Sequence, residues 1–224
     1  MKPHQLLAEA RLSGGVLTLH EHGGTYCVRL GGRELMHSAA TSSELRLGEV
    51  GVARLGRGGG QTVLIGGLGL GFTLRSVLEH TGAGVRVEVA ELVPELVAWN
   101  REHLRGLNGG LLDERRVCVR EGDVFELLRR ARPATYAAIL LDIDNGPTAM
   151  VQASNSRMYD PSGLRLLASV LAPGGRLVVW SAGPDRAFEK RLRQAGFLVE
   201  TLPVKLHAGS RQEAGRLFVA DKAR

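Results

Sequence analysis

Residues 61–91 read QTVLIGGLGLGFTLRSVLEHTGAGVRVEVAE, and this stretch decides the fold. Its start, 62–65, is a short apolar run that ends at glycine, which is typical of a strand buried on both faces of a parallel sheet. After a glycine-rich loop at 66–71, apolar positions recur at helical spacing until Gly82. A second strand at 85–90 then ends at Glu91. The pattern predicts a strand–helix–strand unit with a carboxylate about 20 residues after the loop.

The loop itself is predicted to bind a nucleoside, and its candidate residues are Gly66, Gly67, Gly69 and Gly71. Glycines let a ligand approach the backbone closely and present free N–H groups at the helix N-terminus. A P-loop is excluded because no Gly-Lys-Ser/Thr follows, and the dinucleotide motif G-x-G-x-x-G fits only in part, because Phe72 stands at its third glycine. A purely structural turn is the alternative, and Glu91 at the next strand end favours binding.

The composition indicates a globular chain. Its 224 residues, 44% of them hydrophobic, suffice for one large domain with or without a small appendage. No apolar run approaches the roughly 20 residues of a membrane-spanning helix, and the first residues lack the apolar core of a secretory signal. We therefore expect a cytoplasmic protein with no membrane partner.

The net charge of +6 raises the question of a nucleic-acid partner. The arginines are dispersed, however, and only 4% of the residues are aromatic, so stacking surfaces for bases are scarce. This disfavours nucleic-acid binding. Cys27 and Cys118 lie in strand-like surroundings, and we expect small buried hydrophobes there and no metal site.

The pattern predicts a small N-terminal β-hairpin appendage at 1–43, with runs at 16–20 and 26–30 and a further turn toward 35–36. A capped helix follows from Ser42, and residues 44–224 are expected to form a Rossmann-like nucleoside-binding domain. Its other predicted helices lie at 94–100, 125–130, 164–171 and 187–194, and its other strands at 116–120, 136–142, 176–180, 197–200 and 216–220. This alternation predicts an α/β fold with a doubly wound, mostly parallel sheet.

Acidic residues follow three consecutive predicted strands. Glu91, Asp123 and Asp142 stand at these strand ends, and Asp144 comes two residues later. Ligands of open α/β sheets bind outside the carboxyl ends of the strands, so we expect the side chains to share one crevice. Asp123 could equally serve only as a helix cap. Asp142 and Asp144 are harder to explain as turn residues, because a single acidic group suffices for a turn.

Seven short segments, spread in order between Glu44 and Phe197, carry a resemblance: 66–71, 91–95, 122–123, 141–142, 146–147, 158–159 and 173–175. Through them the chain resembles the spermidine synthase family of aminopropyltransferases, within the class I S-adenosylmethionine-dependent methyltransferase fold. The resemblance implies that Glu91 binds the ribose hydroxyls, Asp123 the adenine amino group, and that Asp142 faces the accepting amine, with Asp144 and Tyr159 as further catalytic candidates. It also implies a donor, S-adenosylmethionine or its decarboxylated form, and a small-molecule acceptor, an amine.

The chain departs from the family at residues that handle polyamines. Leu70 stands where the family has an aspartate that holds the donor's amino group, and Leu47 and Gly48 replace a Tyr-His pair. Asp144 comes one residue early, and Asn145 occupies the place of the family's second aspartate. These departures predict weak or absent spermidine synthase activity.

Several alternatives stay open at this point. The transferred group could be aminopropyl or methyl, and a methyltransferase without a polyamine role fits the departures. A non-catalytic nucleoside-binding module of the same fold is a second alternative. An NAD oxidoreductase ranks last, because no separate substrate domain follows the sheet. Assembly as a homodimer also stays open.

Overall fold

Two β-sheets organise the protein in the computed structural model, which describes residues 4–56, 59–143, 155–205 and 213–223. The larger sheet has seven strands. They are β5 (Thr62–Gly66), β6 (Arg86–Glu91), β7 (Val117–Glu121), β8 (Tyr136–Leu141), β9 (Leu171–Ser181), β10 (Phe197–Lys205) and β11 (Glu213–Lys222). Their order across the sheet is β10-β11-β9-β8-β5-β6-β7.

The central part of this sheet is parallel. β5 pairs with β6 and β8, β6 with β7, and β8 with β9, all in parallel, whereas β11 pairs antiparallel with β9 and β10. The predicted terminal hairpin is therefore present, and it extends the parallel sheet at one edge. β9 begins earlier than predicted, at Leu171, and its pairing with β8 shifts register across the Pro-Gly-Gly segment at 173–175.

Helices cover both faces of the sheet, as the doubly wound prediction requires. They are α1 (Ser42–Val52), α2 (Phe72–Glu79), α3 (Pro94–Glu102), α4 (Arg105–Asn108), α5 (Val124–Arg130), α6 (Ser156–Tyr159), α7 (Pro161–Val170) and α8 (Arg186–Gln194), with a short 3-10 helix at Leu111–Asp113. Leu47 of α1 and Val77 of α2 belong to one buried cluster, and Leu167 of α7 and Phe188 of α8 to another. The fold class is confirmed as Rossmann-like. In the described ranges no helix is long and apolar enough to span a membrane.

The N-terminal sheet has four antiparallel strands and not only the predicted hairpin and turn. They are β1 (Gln5–Leu12), β2 (Gly15–His22), β3 (Thr25–Leu30) and β4 (Arg33–His37), paired in sequence order. Leu19 and Val28 are fully buried in a cluster that includes Leu70, Phe72 and Trp99 of the larger domain. This packing places β4 next to the glycine loop, where Met36 lies close to Gly69.

Candidate functional site

The glycine loop between β5 and α2 adopts a backbone that requires glycine. Gly67, Gly69 and Gly71 have positive φ angles of 90°, 53° and 90°. A Cβ atom on Gly67 would clash with the backbone carbonyl oxygen of Asp142. The loop therefore passes directly against the end of β8, which no residue with a side chain could do without strain.

The side-chain amides of two buried asparagines stabilise this loop through hydrogen bonds. Asn100 Nδ2 donates to the carbonyl oxygen of Gly69 (2.8 Å) and to that of Leu96 (2.8 Å). Asn100 Oδ1 in turn accepts from Asn108 Nδ2 (2.9 Å). Both amides are almost fully buried, and such satisfied buried networks fix a single geometry. They therefore keep the loop in a single position.

Glu91 ends β6 with its carboxylate folded onto the loop. Its Oε2 accepts from the backbone N–H of Leu68 (2.8 Å) and its Oε1 from that of Val93 (2.9 Å). The side chain is only 6% exposed, and burial raises the pKa of the carboxyl, while the backbone N–H groups oppose the rise. A carboxylate offers about four lone-pair sites. Leu68 and Val93 occupy two of them, and the backbone N–H groups of Gly69 and Leu92 also lie close enough to lower the pKa of this carboxyl.

Asp142 follows β8 on the other side of the loop. Its Oδ2 accepts from the Thr73 hydroxyl (3.2 Å), which belongs to the first turn of α2. Burial raises the pKa of the Asp142 carboxyl to about 7, the negative charge of Glu44 adds to the rise, and the Thr73 hydrogen bond opposes it. Burial also raises the pKa of Glu44, whose Oε2 accepts from the Ser43 hydroxyl (2.6 Å). A carboxyl with a pKa near neutrality in a cleft is typical of proton-transfer sites.

The glycine loop, Glu44 and Asp142 line one cavity of about 400 Å³ between β4, α1 and the loop, and Glu91 is not among its lining residues. Its polar lining includes Glu34, His37, Ser43, Glu44, Thr73 and Asp142. Its apolar lining includes Leu35, Met36, Leu70, Phe72, Ile143 and Trp180. The arrangement combines carboxylates with apolar walls, which suits a small organic cation.

Asp123 lies at the same edge of the sheet but lines a different cavity. Its Oδ1 caps α5 by accepting from the backbone N–H of Phe125 (2.8 Å), and its Oδ2 pairs with the Arg157 guanidinium. The cavity that it lines has a volume of about 690 Å³ and also includes Glu88 and Tyr136. Capping is therefore observed. The predicted contact with adenine stays a prediction, and the single crevice expected for the three carboxylates is divided in the described structure.

The remaining predicted residues fall into two groups. Gly66 ends β5, and its carbonyl oxygen accepts from the backbone N–H of Asp142 (2.9 Å). Tyr159 is 3% exposed at the end of α6, with its ring edge against Phe188 in the core, and it is not among the residues that line the 400 Å³ cavity. Its catalytic role stays a prediction. Asp144 and Asn145 lie outside the described residues.

The residues that depart from the family pattern lie in different places. Leu70 lines the 400 Å³ cavity and is 5% exposed. Leu47 is fully buried in the core, and a Cβ on Gly48 would lie 2.5 Å from that of Ser76, so Gly48 permits close packing of α1 on α2. Neither lines the cavity. That these two replacements weaken acceptor binding stays a prediction, as does the argument from Leu70.

Sequence reasoning missed Thr73 as well as Asn100 and Asn108. A threonine early in a helix and asparagines within helices carry no motif of their own. Only the β8–loop contact brings Thr73 to Asp142. The two cysteines are free, and Cys27 is buried. Across the described ranges no cluster of three or more histidine, cysteine or acidic residues could hold a metal ion.

Comparisons with known proteins identify the relatives of the chain. No protein-family model matches it. Polyamine aminopropyltransferase 1 of Streptomyces coelicolor is 40% identical over 124 residues, which cover 54% of this chain and 22% of that protein. Polyamine aminopropyltransferase of Mycobacterium tuberculosis is 34% identical over 149 residues, which cover 63% of this chain and 28% of that protein. The match thus spans about a quarter of the length of these curated relatives.

Solved structures extend the similarity to nearly the whole fold. A spermidine synthase in complex with the transition-state analogue AdoDATO has a similar structure, with a TM-score of 0.77 and 17% sequence identity. The match covers 97% of this chain and 74% of the spermidine synthase chain. The spermidine synthase of Thermotoga maritima has a TM-score of 0.76 and 16% sequence identity, and the match covers 97% of this chain and 73% of that enzyme's chain. At this low sequence identity the solved structures show only that the fold is shared. The similarity in sequence is shown by the curated relatives. The chain is therefore spermidine synthase-like, both in the fold that it adopts and in the sequence segment that it shares with the aminopropyltransferases.

Proposed function

We propose that the protein transfers an aminopropyl group from decarboxylated S-adenosylmethionine to an amine. The names of the curated relatives support this assignment. Because those relatives are several times longer than the matched segment, the activity and the substrates of this chain are our proposal. The observation that carries it is the position of Asp142, beside the glycine loop and in a cavity shared with Glu44.

The chemistry requires alignment and one proton acceptor. The acceptor nitrogen attacks the carbon next to the sulfonium, a C–N bond forms, and the C–S bond breaks with its electron pair moving to sulfur. The donor leaves as a neutral thioether, and the nitrogen loses one proton. Asp142, with a pKa of about 7, can take this proton near neutral pH. Fixed geometry between the two reactants supplies several kcal/mol of the acceleration.

The residues present fit an adenosyl donor. Glu91 lies against the glycine loop at the end of β6, and by the family resemblance its carboxylate would accept from the ribose hydroxyls. The backbone of the loop is open to close approach at Gly69, where an added Cβ would have only the Met36 sulfur within 4 Å, at 3.5 Å. By the family resemblance, Asp123 at the next strand end would accept from the adenine amino group. Its carboxylate would have to accept the adenine amino group beside its bonds to Phe125 and Arg157.

The test is product formation with the purified protein. Decarboxylated S-adenosylmethionine and a panel of amines are incubated with the wild type and with Asp142→Asn, and the alkylated amine and methylthioadenosine are quantified by mass spectrometry. We expect both products in equal amounts, with turnover at least tenfold lower in Asp142→Asn and with nearly unchanged affinity for methylthioadenosine. No product from any amine would contradict the proposal. A loss of activity that only follows a loss of folded protein would assign Asp142 a structural role.

One observation favours a second candidate, methyl transfer from S-adenosylmethionine. Leu70 presents an apolar side chain to the cavity, where the family has a carboxylate for the donor's ammonium. Without that carboxylate the site has less reason to select the decarboxylated donor. Running the same amine panel with S-adenosylmethionine decides between the two, because a methylated amine and an aminopropylated amine differ in mass.

A further inference from the structure

The peptide that joins Gly69 to Leu70 is held by the protein on one side only. Its carbonyl oxygen, which belongs to Gly69, accepts from Asn100 Nδ2 (2.8 Å). In a planar trans peptide the carbonyl oxygen and the N–H group point in opposite directions. The N–H group of Leu70 therefore points away from Asn100, and it has no hydrogen-bond acceptor in the part of the chain that the structure describes.

This N–H group belongs to a residue that lines the 400 Å³ cavity. Gly69 and Leu70 are both part of the lining, and Leu70 is only 5% exposed. Buried backbone N–H groups are almost always paired, because an unpaired one costs the free energy of its lost hydration. A ligand in the cavity can supply the acceptor, and the loop then binds that ligand through its backbone.

The side-chain amide of Asn100 can adopt only one orientation. Besides its bond to Gly69, Nδ2 donates to the carbonyl oxygen of Leu96 (2.8 Å), and Oδ1 accepts from Asn108 Nδ2 (2.9 Å). The Oδ1 of Asn108 in turn accepts from the backbone N–H of Gly110 (3.1 Å). A flipped amide would place Oδ1 of Asn100 against two carbonyl oxygens, which repel it. Asn108 therefore fixes Asn100, and Asn100 fixes the Gly69 carbonyl.

The charge of the cavity indicates what kind of acceptor the Leu70 N–H group binds. The lining includes the carboxylates of Glu34, Glu44 and Asp142, and no lysine or arginine is among the described residues that line it. These carboxylates would repel an anionic acceptor. The acceptor is therefore uncharged, and an adenosyl donor offers uncharged acceptors in the oxygen and nitrogen atoms of its nucleoside.

We propose that Asn100 is a positioning residue for the donor, because it orients the Gly69–Leu70 peptide so that the N–H group binds the nucleoside. Asn100 does not line the cavity, and it acts through the loop. The inference rests on the proposed function and adds to it a residue that sets the affinity for the donor. A purely structural amide would only satisfy polar groups of α3 and α4. Its loss would lower the stability without changing the affinity for the donor relative to that for the amine.

Three substitutions test this chain of contacts. Asn100→Asp keeps the size of the side chain but replaces the Nδ2 donor group by an oxygen atom, which repels the Gly69 carbonyl oxygen. Asn108→Ala keeps the Nδ2 group of Asn100 and removes the bond that orients it. Asp221→Asn is the matched control, because it exchanges the same two side chains in the opposite direction. Asp221 lies on β11, pairs with Arg176 (2.8 Å) and lines neither the 400 Å³ nor the 690 Å³ cavity.

The experiment measures the binding of the donor nucleoside and the stability separately. Calorimetry is run on the full chain of the wild type and of each variant with methylthioadenosine and with S-adenosylhomocysteine, and urea denaturation gives the stability. We expect Asn100→Asp to bind both nucleosides at least about tenfold more weakly than the wild type, and Asn108→Ala to show a smaller loss in the same direction. In the transfer assay the KM for the donor should rise in Asn100→Asp while the KM for the amine stays nearly constant. Asp221→Asn should lose stability and keep the wild-type affinity for both nucleosides.

Three results would overturn the role of Asn100. The first is an unchanged nucleoside affinity in Asn100→Asp, and the second is an equal rise of the KM values for donor and amine. The third is a loss confined to S-adenosylhomocysteine, because only that ligand carries a carboxylate and the N–H group would then not bind the nucleoside. If Asn100→Asp fails to fold, the comparison of Asn108→Ala with Asp221→Asn decides, since only the first should weaken nucleoside binding.

The same measurements separate this inference from the proposed function. Weaker nucleoside binding in Asn100→Asp, without transfer to any amine by the wild type, supports this inference and overturns the proposed function. Transfer by the wild type, with unchanged nucleoside affinity in Asn100→Asp, overturns this inference and leaves the proposed function in place. A wild type that binds neither nucleoside overturns both.

Discussion

The Thr73 hydroxyl donates a hydrogen bond of 3.2 Å to Oδ2 of Asp142, joining the start of α2 to the end of β8 across the glycine loop. Thr73 is 3% exposed, so water competes little for this bond. The bond stabilises the ionised form of Asp142 and holds its pKa below the value that burial alone would give. Thr73 is therefore a positioning residue for the carboxylate that we assign to proton transfer.

Replacing Thr73 by valine should shift the pH dependence of activity. Without the hydrogen bond the pKa of Asp142 rises further above about 7, by roughly half to one unit if the bond contributes about 1 kcal/mol. Because the ionised carboxylate accepts the proton, the acid limb of kcat/KM should move to higher pH, with activity reduced at pH 7 and largely restored at pH 9. Thr73→Ser keeps the hydroxyl and should retain the wild-type profile. If the acid limb of the kcat/KM profile does not move in Thr73→Val, Thr73 is not a positioning residue for Asp142.

Asp142 should also make the folded state less stable as the pH rises. Its folded pKa of about 7 lies above the ordinary value of 3.8, so between these values the folded state binds more protons than the unfolded state. The free energy of unfolding therefore falls with increasing pH across this window. Asp142→Asn cannot ionise and should be more stable than the wild type at pH 8, by about 1–3 kcal/mol, and nearly equal to it at pH 4. Urea denaturation at both pH values measures the difference.

Asp160 is a control whose pKa is shifted in the folded state in the opposite direction to that of Asp142. It caps α7, and its hydrogen bonds to Ser162 and Gly163 lower the pKa of the carboxyl. Its stabilising contribution is present above the unfolded pKa and disappears as the pH falls through the folded pKa. Asp160→Asn should therefore never gain stability relative to the wild type at pH 8. A gain in both variants would show that removal of any negative charge, and not the Asp142 site, is responsible.

Gly67 should tolerate no side chain. Gly67→Ala combines a φ angle of +90° with a clash against the Asp142 carbonyl oxygen, and we expect a loss of about 2–4 kcal/mol of stability. Gly60 has a similar φ of +85° but nothing within 4 Å of an added Cβ, so Gly60→Ala should lose only about 1–2 kcal/mol. Gly82→Ala, with neither feature, should stay within about 0.5 kcal/mol. If Gly67→Ala and Gly60→Ala lose the same stability, the clash with the Asp142 carbonyl oxygen does not contribute to the loss at Gly67.

Glu91 should contribute to binding of the adenosyl group. Calorimetry with methylthioadenosine and S-adenosylhomocysteine should show binding to the wild type, no tight binding of NAD, and a loss of a few kcal/mol at most in Glu91→Ala, the scale of charge-assisted hydrogen bonds. Glu200 lies on β10 at the far edge of the same sheet, is exposed and lines neither cavity, so Glu200→Ala is the control. Tight NAD binding without binding of the thioethers would exclude the adenosyl interpretation.

The larger sheet could be predicted from the sequence because its signals are local. The run at 62–65 ends at glycine, and the strand ends at Glu91 and Asp142 lie where the sequence places them, within a residue. β1 went unpredicted, because Gln5–Leu12 reads QLLAEARL, a segment of good helix formers. Its strand conformation depends on pairing with β2, which is a tertiary effect.

The candidate site could be predicted only where a motif marks it. The loop glycines and Glu91 have a fixed spacing, and the structure brings the backbone of Gly67 against the carbonyl oxygen of Asp142. Asn100, Asn108 and Thr73 act through contacts between elements that are distant in sequence, which no spacing encodes. The packing of Leu47 and Gly48 between α1 and α2 could not be predicted for the same reason. Which residues Leu47 and Gly48 contact is decided only when α1 packs on α2.

The last prediction concerns donor selection by Leu70. This side chain is 5% exposed and belongs to the apolar cluster that joins the N-terminal sheet to the larger domain. It also lines the cavity, so an aminopropyl ammonium placed near it would lose hydration without gaining a partner. Such an unpaired cation costs several kcal/mol. We therefore expect turnover of putrescine with decarboxylated S-adenosylmethionine to stay below about 1 s⁻¹, the lower end of ordinary enzyme turnover.

The measurement compares both donors with the same amines and adds two variants at position 70. Leu70→Asp restores the anion, and Leu70→Asn supplies a polar group of the same size without the charge. If the missing anion limits the reaction, Leu70→Asp should lower KM for the decarboxylated donor more than Leu70→Asn does, because only a charge compensates the ammonium. Both variants remove the same leucine methyl groups from the apolar cluster, so their difference separates the effect of the charge from the loss of packing. Putrescine turnover of about 1 s⁻¹ or more in the wild type would show that Glu44 or another group already neutralises the donor's ammonium despite Leu70.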